Sequence, residues 1–197
     1  MKKYILILLS IFIFTYTNAQ ENNTSVFNNL SFGVTGGVNL SNFFGDVSSD
    51  NSFLVGLHVG GIVKAPISEK FLLQLEPAYS LEGYKFASDR KYRVSFINLP
   101  VLVRLLKTGD LSVEAGPKIA IRLSEKVDLV NGGSRSLDRV KTIWFGLVAG
   151  TSYAIDDNWA ARFRFNYTPS DIIRSDAGDT EGTSSIVFQF GLAYFFN

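Results

Sequence analysis

The residues with chemistry to offer are charged side chains set inside otherwise apolar stretches. Arg162 and Arg164 stand two apart, Glu114, Lys118 and Arg122 recur every fourth residue, and Glu76 and Arg104 occupy similar settings. Spacings of two and four place side chains on one face of a β-strand. Acids and bases mixed on such a face point to a structural ion-pair network. His58 is the one imidazole, so a lipid hydrolase of the Ser–His–acid type would need it as its base. A triad is defined by geometry and several convergent groups, of which the sequence supplies one. The absence of Cys excludes disulfides, thiolate metal sites, a Cys nucleophile and a lipoprotein anchor. No nucleotide-binding glycine loop, HExxH, GxSxG elbow or calcium-loop spacing is found. No catalytic residue, cofactor or metal is therefore expected.

The elements that would position these charges begin after an export signal. Met1, Lys2 and Lys3 precede an apolar run from Tyr4 to Tyr16, and Thr17-Asn18-Ala19 supplies small residues before Gln20. This is the pattern of a cleaved secretory signal peptide, 1–19, and its apolar run is too short to span a membrane comfortably. Cleavage removes Lys2 and Lys3 and no acid, leaving 17 basic against 18 acidic residues. Such a near-neutral chain has no basic surplus for nucleic acid. Residues 20–29 read as a short periplasmic segment and 30–197 as one domain.

That domain is patterned with period two, the signature of half-buried strands. Eight segments show it. The first sets Phe32, Val34 and Val38 against Thr35 and Asn39; the fifth sets Leu111, Val113, Ile119 and Ile121 against Glu114, Lys118 and Arg122; the seventh sets Phe163, Phe165 and Tyr167 against Arg162, Arg164 and Asn166. Each runs for about 10–14 residues, beyond the ordinary soluble strand and enough to cross a bilayer at a tilt. Long polar connections (41–51, 83–91, 124–141, 169–183) alternate with short ones (65–70, 107–110, 156–158). The expected fold is an all-β, eight-stranded antiparallel up-and-down transmembrane barrel, with short periplasmic turns and longer external loops. Pro77, Pro100 and Pro117 fall inside strands and each requires a bulge or a missing ladder bond.

A soluble lipocalin-like barrel binding a small apolar ligand is the inside-out alternative, and the charges by themselves do not separate the two. Strand length, the export signal and the aromatic end Tyr194-Phe195-Phe196 tip the reading to the membrane. So do Trp159, Phe71 and Tyr194 near the short turns, with Tyr92 and Tyr167 near the loop ends, where interfacial girdles are expected. A lumen of eight strands is filled by side chains.

The glycine-rich opening 33–41, Gly56-Leu57-His58-Val59-Gly60, Leu73-Gln74-Leu75-Glu76-Pro77-Ala78-Tyr79-Ser80, Asn98-Leu99-Pro100-Val101, Glu114-Ala115-Gly116-Pro117 and the end from Gln189 to Phe196 together resemble the PorT-like outer-membrane β-barrel family of Bacteroidota. The resemblance runs from about Leu30 to the C-terminus and implies an outer-membrane barrel of the envelope, with a namesake linked to protein secretion. It carries over no catalytic residues. The partners expected are outer-membrane lipid and, through the external loops, lipopolysaccharide or other envelope proteins. Lys85, Arg90, Lys91 and Arg93 form a basic loop cluster suited to phosphates, and Asp171, Asp176, Asp179 and Glu181 an acidic one.

Overall fold

The computed structural model describes residues 30–45, 51–86, 90–106, 109–128, 133–137, 141–169 and 183–196. The expected signal peptide, the segment 20–29 and the acidic loop cluster lie outside the described residues. The strands are β1 (Ser31–Phe44), β2 (Ser52–Pro66), β3 (Phe71–Leu75), β4 (Ala78–Lys85), β5 (Lys91–Leu106), β6 (Leu111–Asp128), β7 (Ser134–Ser136), β8 (Ile143–Ala154), β9 (Trp159–Thr168) and β10 (Ser184–Phe196). Each pairs antiparallel with its neighbours, and β1 pairs with β10 from Phe32↔Phe196 to Phe44↔Ser184, closing the sheet. Eight staves form the ring because β3 and β4 are two halves of one, while β7 only extends the outer end of β6.

Pro77 causes the break between β3 and β4. Leu75 faces Val101 and Ala78 faces Asn98, so the register survives but the two intervening positions do not pair. The backbone bonds there are Gly61 N to Pro77 O at 3.0 Å and Glu76 N to Pro100 O at 3.3 Å. The β5–β6 ladder likewise skips from Pro100↔Lys118 to Val103↔Ala115, passing Gly116 and Pro117. A residue without an N–H removes a rung, and a closed sheet tolerates this where neighbouring rungs hold the register.

The orientation of the two faces decides between the inside-out alternatives. Phe145, Leu57 and Leu147 point outward, 67%, 62% and 61% exposed, in a belt that includes Val55, Val59, Ile121 and Phe163. Arg104, Glu114, Lys118, Arg162 and Arg164 are buried within the cylinder. A soluble lipocalin-like barrel requires the reverse, so that alternative is overturned.

The lumen departs from the sequence reading in two ways. The strands of the outer half run further than expected: β1 reaches Phe44, β4 reaches Lys85 and β6 reaches Asp128, into segments that the sequence presents as loops. The reason is apolar filling at that end, where Phe43, Tyr84, Tyr92, Val94, Phe96, Ala120 and Trp144 form a buried plug. Its rings meet at centroid distances from 4.5 Å (Phe96–Trp144) to 6.0 Å (Phe43–Tyr92), the range of edge and offset aromatic packing. Tyr92 is thus no girdle residue. It turns inward, and Trp159, Phe71 and Tyr167 remain on the outer surface. Ile62, Ala160, Ala193 and Phe195 make a smaller apolar cluster at the short-turn end.

A bulge sets the second departure. Ser95 faces Ser124 but Phe96 faces Arg122, which leaves Leu123 as an extra residue. One inserted residue reverses the facing of the strand beyond it, so Glu125 points into the lumen. There Tyr92 Oη donates to Glu125 Oε1 at 2.6 Å and Arg122 Nη1 to Oε2 at 2.7 Å. The phenol is the donor because an ionised carboxylate can only accept. Tyr92→Phe is expected to cost about 1 kcal/mol, because Arg122 still neutralises Glu125, and a urea titration of the refolded protein measures it.

Candidate functional site

Between the two apolar clusters lies the polar middle of the lumen, and its positions follow from register. Arg104 faces Glu114 across β5 and β6, Glu114 faces Gly150 across β6 and β8, and Gly150 faces Arg164 across β8 and β9. A Cβ at Gly150 would stand 2.7 Å from Arg164 Cγ, so the glycine makes room for the guanidinium to reach the axis. Arg164 Nη1 and Nη2 donate to Glu76 Oε1 and Oε2 at 2.6 and 2.8 Å, and its Nε donates to Glu114 Oε1. Arg162 Nη2 donates to Glu76 Oε2 at 2.7 Å and Glu114 Oε1 at 3.2 Å, with Nη1 donating to Thr35 Oγ1. Arg104 donates twice to Glu114 Oε2, and Gln74 Nε2 donates to Glu76 Oε2.

Five of the seven charges singled out in the sequence therefore meet: Glu76, Arg104, Glu114, Arg162 and Arg164. Arg122 lies a layer further out on Glu125. Lys118 is buried on the lumen face opposite Pro100 and Gly146, and forms no ion pair among the described residues. The cluster has three guanidiniums to two carboxylates. Forked Arg–carboxylate bonds of this kind are directional and strong when desolvated, so they lock the staves against one another.

The sequence reading missed a second ladder, built mainly of amides and ending on Glu82. Asn39 Oδ1 accepts from His58 Nδ1 at 2.8 Å and from Gln189 Nε2 at 3.1 Å, and Asn166 Nδ2 donates to Gln189 Oε1. Asn39 Nδ2 donates to Ser80 Oγ, which donates to Glu82 Oε1, and Asn98 Nδ2 donates to the same oxygen. Glu82 shares the strand parity of Glu76 and Ser80, the signal in the sequence that would have found it. His58 is held by an amide and packed against Gly191, where a Cβ would come within 3.0 Å of Nε2. Among the described residues no three His, Asp or Glu side chains converge as a metal site.

At the short-turn mouth, Lys64, Arg104, Asp110, Asp156 and Trp159 are among the residues lining a cavity of about 250 Å³. Lys64 Nζ stands over the Phe195 ring, 2.9 Å from its centroid. The cation–π contact and the ion cluster close this end of the lumen.

A polar, cross-linked interior inside an apolar, strand-built wall is the construction of a membrane barrel. The family described as outer membrane protein beta-barrel domain matches residues 18–174. The chain belongs to this family. It is a small outer-membrane barrel, located in the outer membrane. Neisserial surface protein A superposes with a TM-score of 0.58 at 16% identity, covering 85% of this chain and 99% of that one. Ail, the attachment invasion locus protein of Yersinia pestis, in complex with the heparin analogue sucrose octasulfate, gives 0.52 at 11% identity, covering 85% and 99%. At these identities the likeness is one of fold. No curated protein matches the chain in sequence.

Proposed function

We propose that this outer-membrane barrel is a non-conducting structural or interaction protein of the envelope, without enzymatic activity, whose partners meet it at its outer rim. The observation that carries this reading is the filling of the lumen in three layers: the Ile62–Phe195 cluster, the Glu76/Glu114 arginine lattice and the Phe43–Trp144 aromatic plug. A barrel of eight staves has no room for an aqueous channel once such layers are in place. His58, the one residue considered for lipid hydrolysis, commits its Nδ1 to Asn39 inside the lumen, away from acyl chains. A place beside the secretion-linked PorT-like proteins is the finer form of the proposal, supported by the motifs from Gly33 to Phe196.

Planar-bilayer recording tests the first part. Protein refolded at single-molecule density is expected to give no steady conductance, and stable nanosiemens steps would overturn the reading. Mild cross-linking in native outer membranes followed by co-purification tests the second. A reproducible envelope protein, captured through outer-rim residues, is the expected result.

A further inference from the structure

The basic residues that form a loop cluster in the sequence are rearranged by the fold into a row on the wall. Lys85 faces Lys91 across β4 and β5, and Arg93 faces Lys126 across β5 and β6. Lys126 comes from a segment with the look of a loop, and the bulge at Leu123 turns it outward. Arg90 leaves the group to lie over the Phe86 ring. Among the described residues the row meets one carboxylate, Asp128 beside Arg93, and Lys85, Lys91 and Lys126 have no acidic partner.

Its height on the wall matters. Below Arg93 on β5 come Ser95 and then Ile97, Leu99 and Val101; below Lys126 on β6 come Ser124 and then Leu123, Ile121 and Ile119. Arg93 stands four residues above Ile97, about 13 Å along the strand. That is the headgroup level for a lipid whose chains lie on the apolar belt. On the other strands Phe44, Phe53 and Ile143 face outward, and the further exposed cations described at this end, Arg135 on β7 and Lys141 before β8, flank the same outer part of β6. The long loops mark this end as external, and the leaflet there is where phosphorylated saccharolipid resides.

We propose that the outward face of β4, β5 and β6 is a binding site for the phosphate groups of lipid A, with Lys85, Lys91, Arg93 and Lys126 as its cations and the Ile97–Ile121 surface as its acyl contact. Adjacent strands about 4.8 Å apart and like-facing residues about 6.7 Å apart set these four charges within reach of one headgroup. The site names the lipid met at the outer rim and rests on the barrel's orientation there.

The full-length protein in phosphatidylcholine nanodiscs, supplied with bisphosphorylated lipid A and read by native mass spectrometry, tests it. Wild type is expected to retain lipid A, and Lys91→Gln/Arg93→Gln/Lys126→Gln to lose at least about tenfold of that retention, as several surface cations act together. Lys70→Gln, at the short-turn end, should retain it fully. Unchanged retention by the triple variant would overturn the site, as would equal retention of dephosphorylated lipid A or of phosphatidylglycerol. Displacement by millimolar inorganic phosphate would assign the cations to free phosphate and overturn the lipid assignment. The single variant Lys126→Glu, with folding checked by heat-modifiable gel mobility, gives the same reading if the triple variant refolds poorly. A barrel that folds, does not conduct and ignores lipid A would reject this site and leave the proposed function standing.

Discussion

Glu114→Ala is expected to destabilise the barrel by about 3–5 kcal/mol, the cost of leaving buried charges without their partner. Glu114 takes two bonds from Arg104, one from Arg164 and one from Arg162. Without it Arg162 and Arg164 are left with Glu76 alone, and Arg104 loses the carboxylate it pairs with beside the cavity at the short-turn mouth. The loss is not the sum of four bonds, because such networks are non-additive and part of the cost is the repulsion released among the arginines. Glu114→Gln keeps the volume and an acceptor but removes the charge, so an intermediate loss is expected. Reversible urea unfolding in lipid vesicles measures both. A loss under about 1 kcal/mol for Glu114→Ala would mean that water hydrates the arginines, and the lumen would then be wet.

The second large effect belongs to the outer face. Leu147, midway along β8 between Pro117 and Tyr167 in the ladders, is expected to cost about 2–4 kcal/mol when changed to Arg, the penalty for a cation at the bilayer midplane. Tyr153→Arg, near the short-turn end of the same strand, should cost only about 0–1 kcal/mol. Both side chains are more than half exposed, so packing loss is similar and depth accounts for the difference. The same urea titrations in vesicles decide it. Equal costs at the two positions would place the apolar belt somewhere other than against lipid.

Much of this is legible in the residues. Alternation alone puts Leu147 and Phe163 on one face and Arg162 and Arg164 on the other, because strand side chains alternate whatever the neighbours are. Pro77 announces a missing rung by its chemistry. Tyr92 is misplaced by sequence reasoning for the opposite reason: an aromatic ring near a strand end suits an interfacial girdle and a lumen plug equally, and only its neighbours Phe43, Tyr84 and Trp144, from three other staves, decide which. Glu125 and Lys126 look like loop because one extra residue at Leu123 reverses the facing of the chain beyond it, and no local pattern signals that insertion.

The amino-acid sequence alone determined the two-faced strands, their number around the ring and the alternation of short and long connections. These depend on period and on turn residues, both local properties of the chain. Only the tertiary structure decided which charges meet. Glu76 and Arg162 are 86 positions apart, and Asn39 and Gln189 are 150. They come within hydrogen-bond distance because β1 closes on β10 and because bulges and skipped rungs set the height of each stave. A lumen contact is a property of the closed ring, and ring closure is a long-range event that neighbouring residues do not encode.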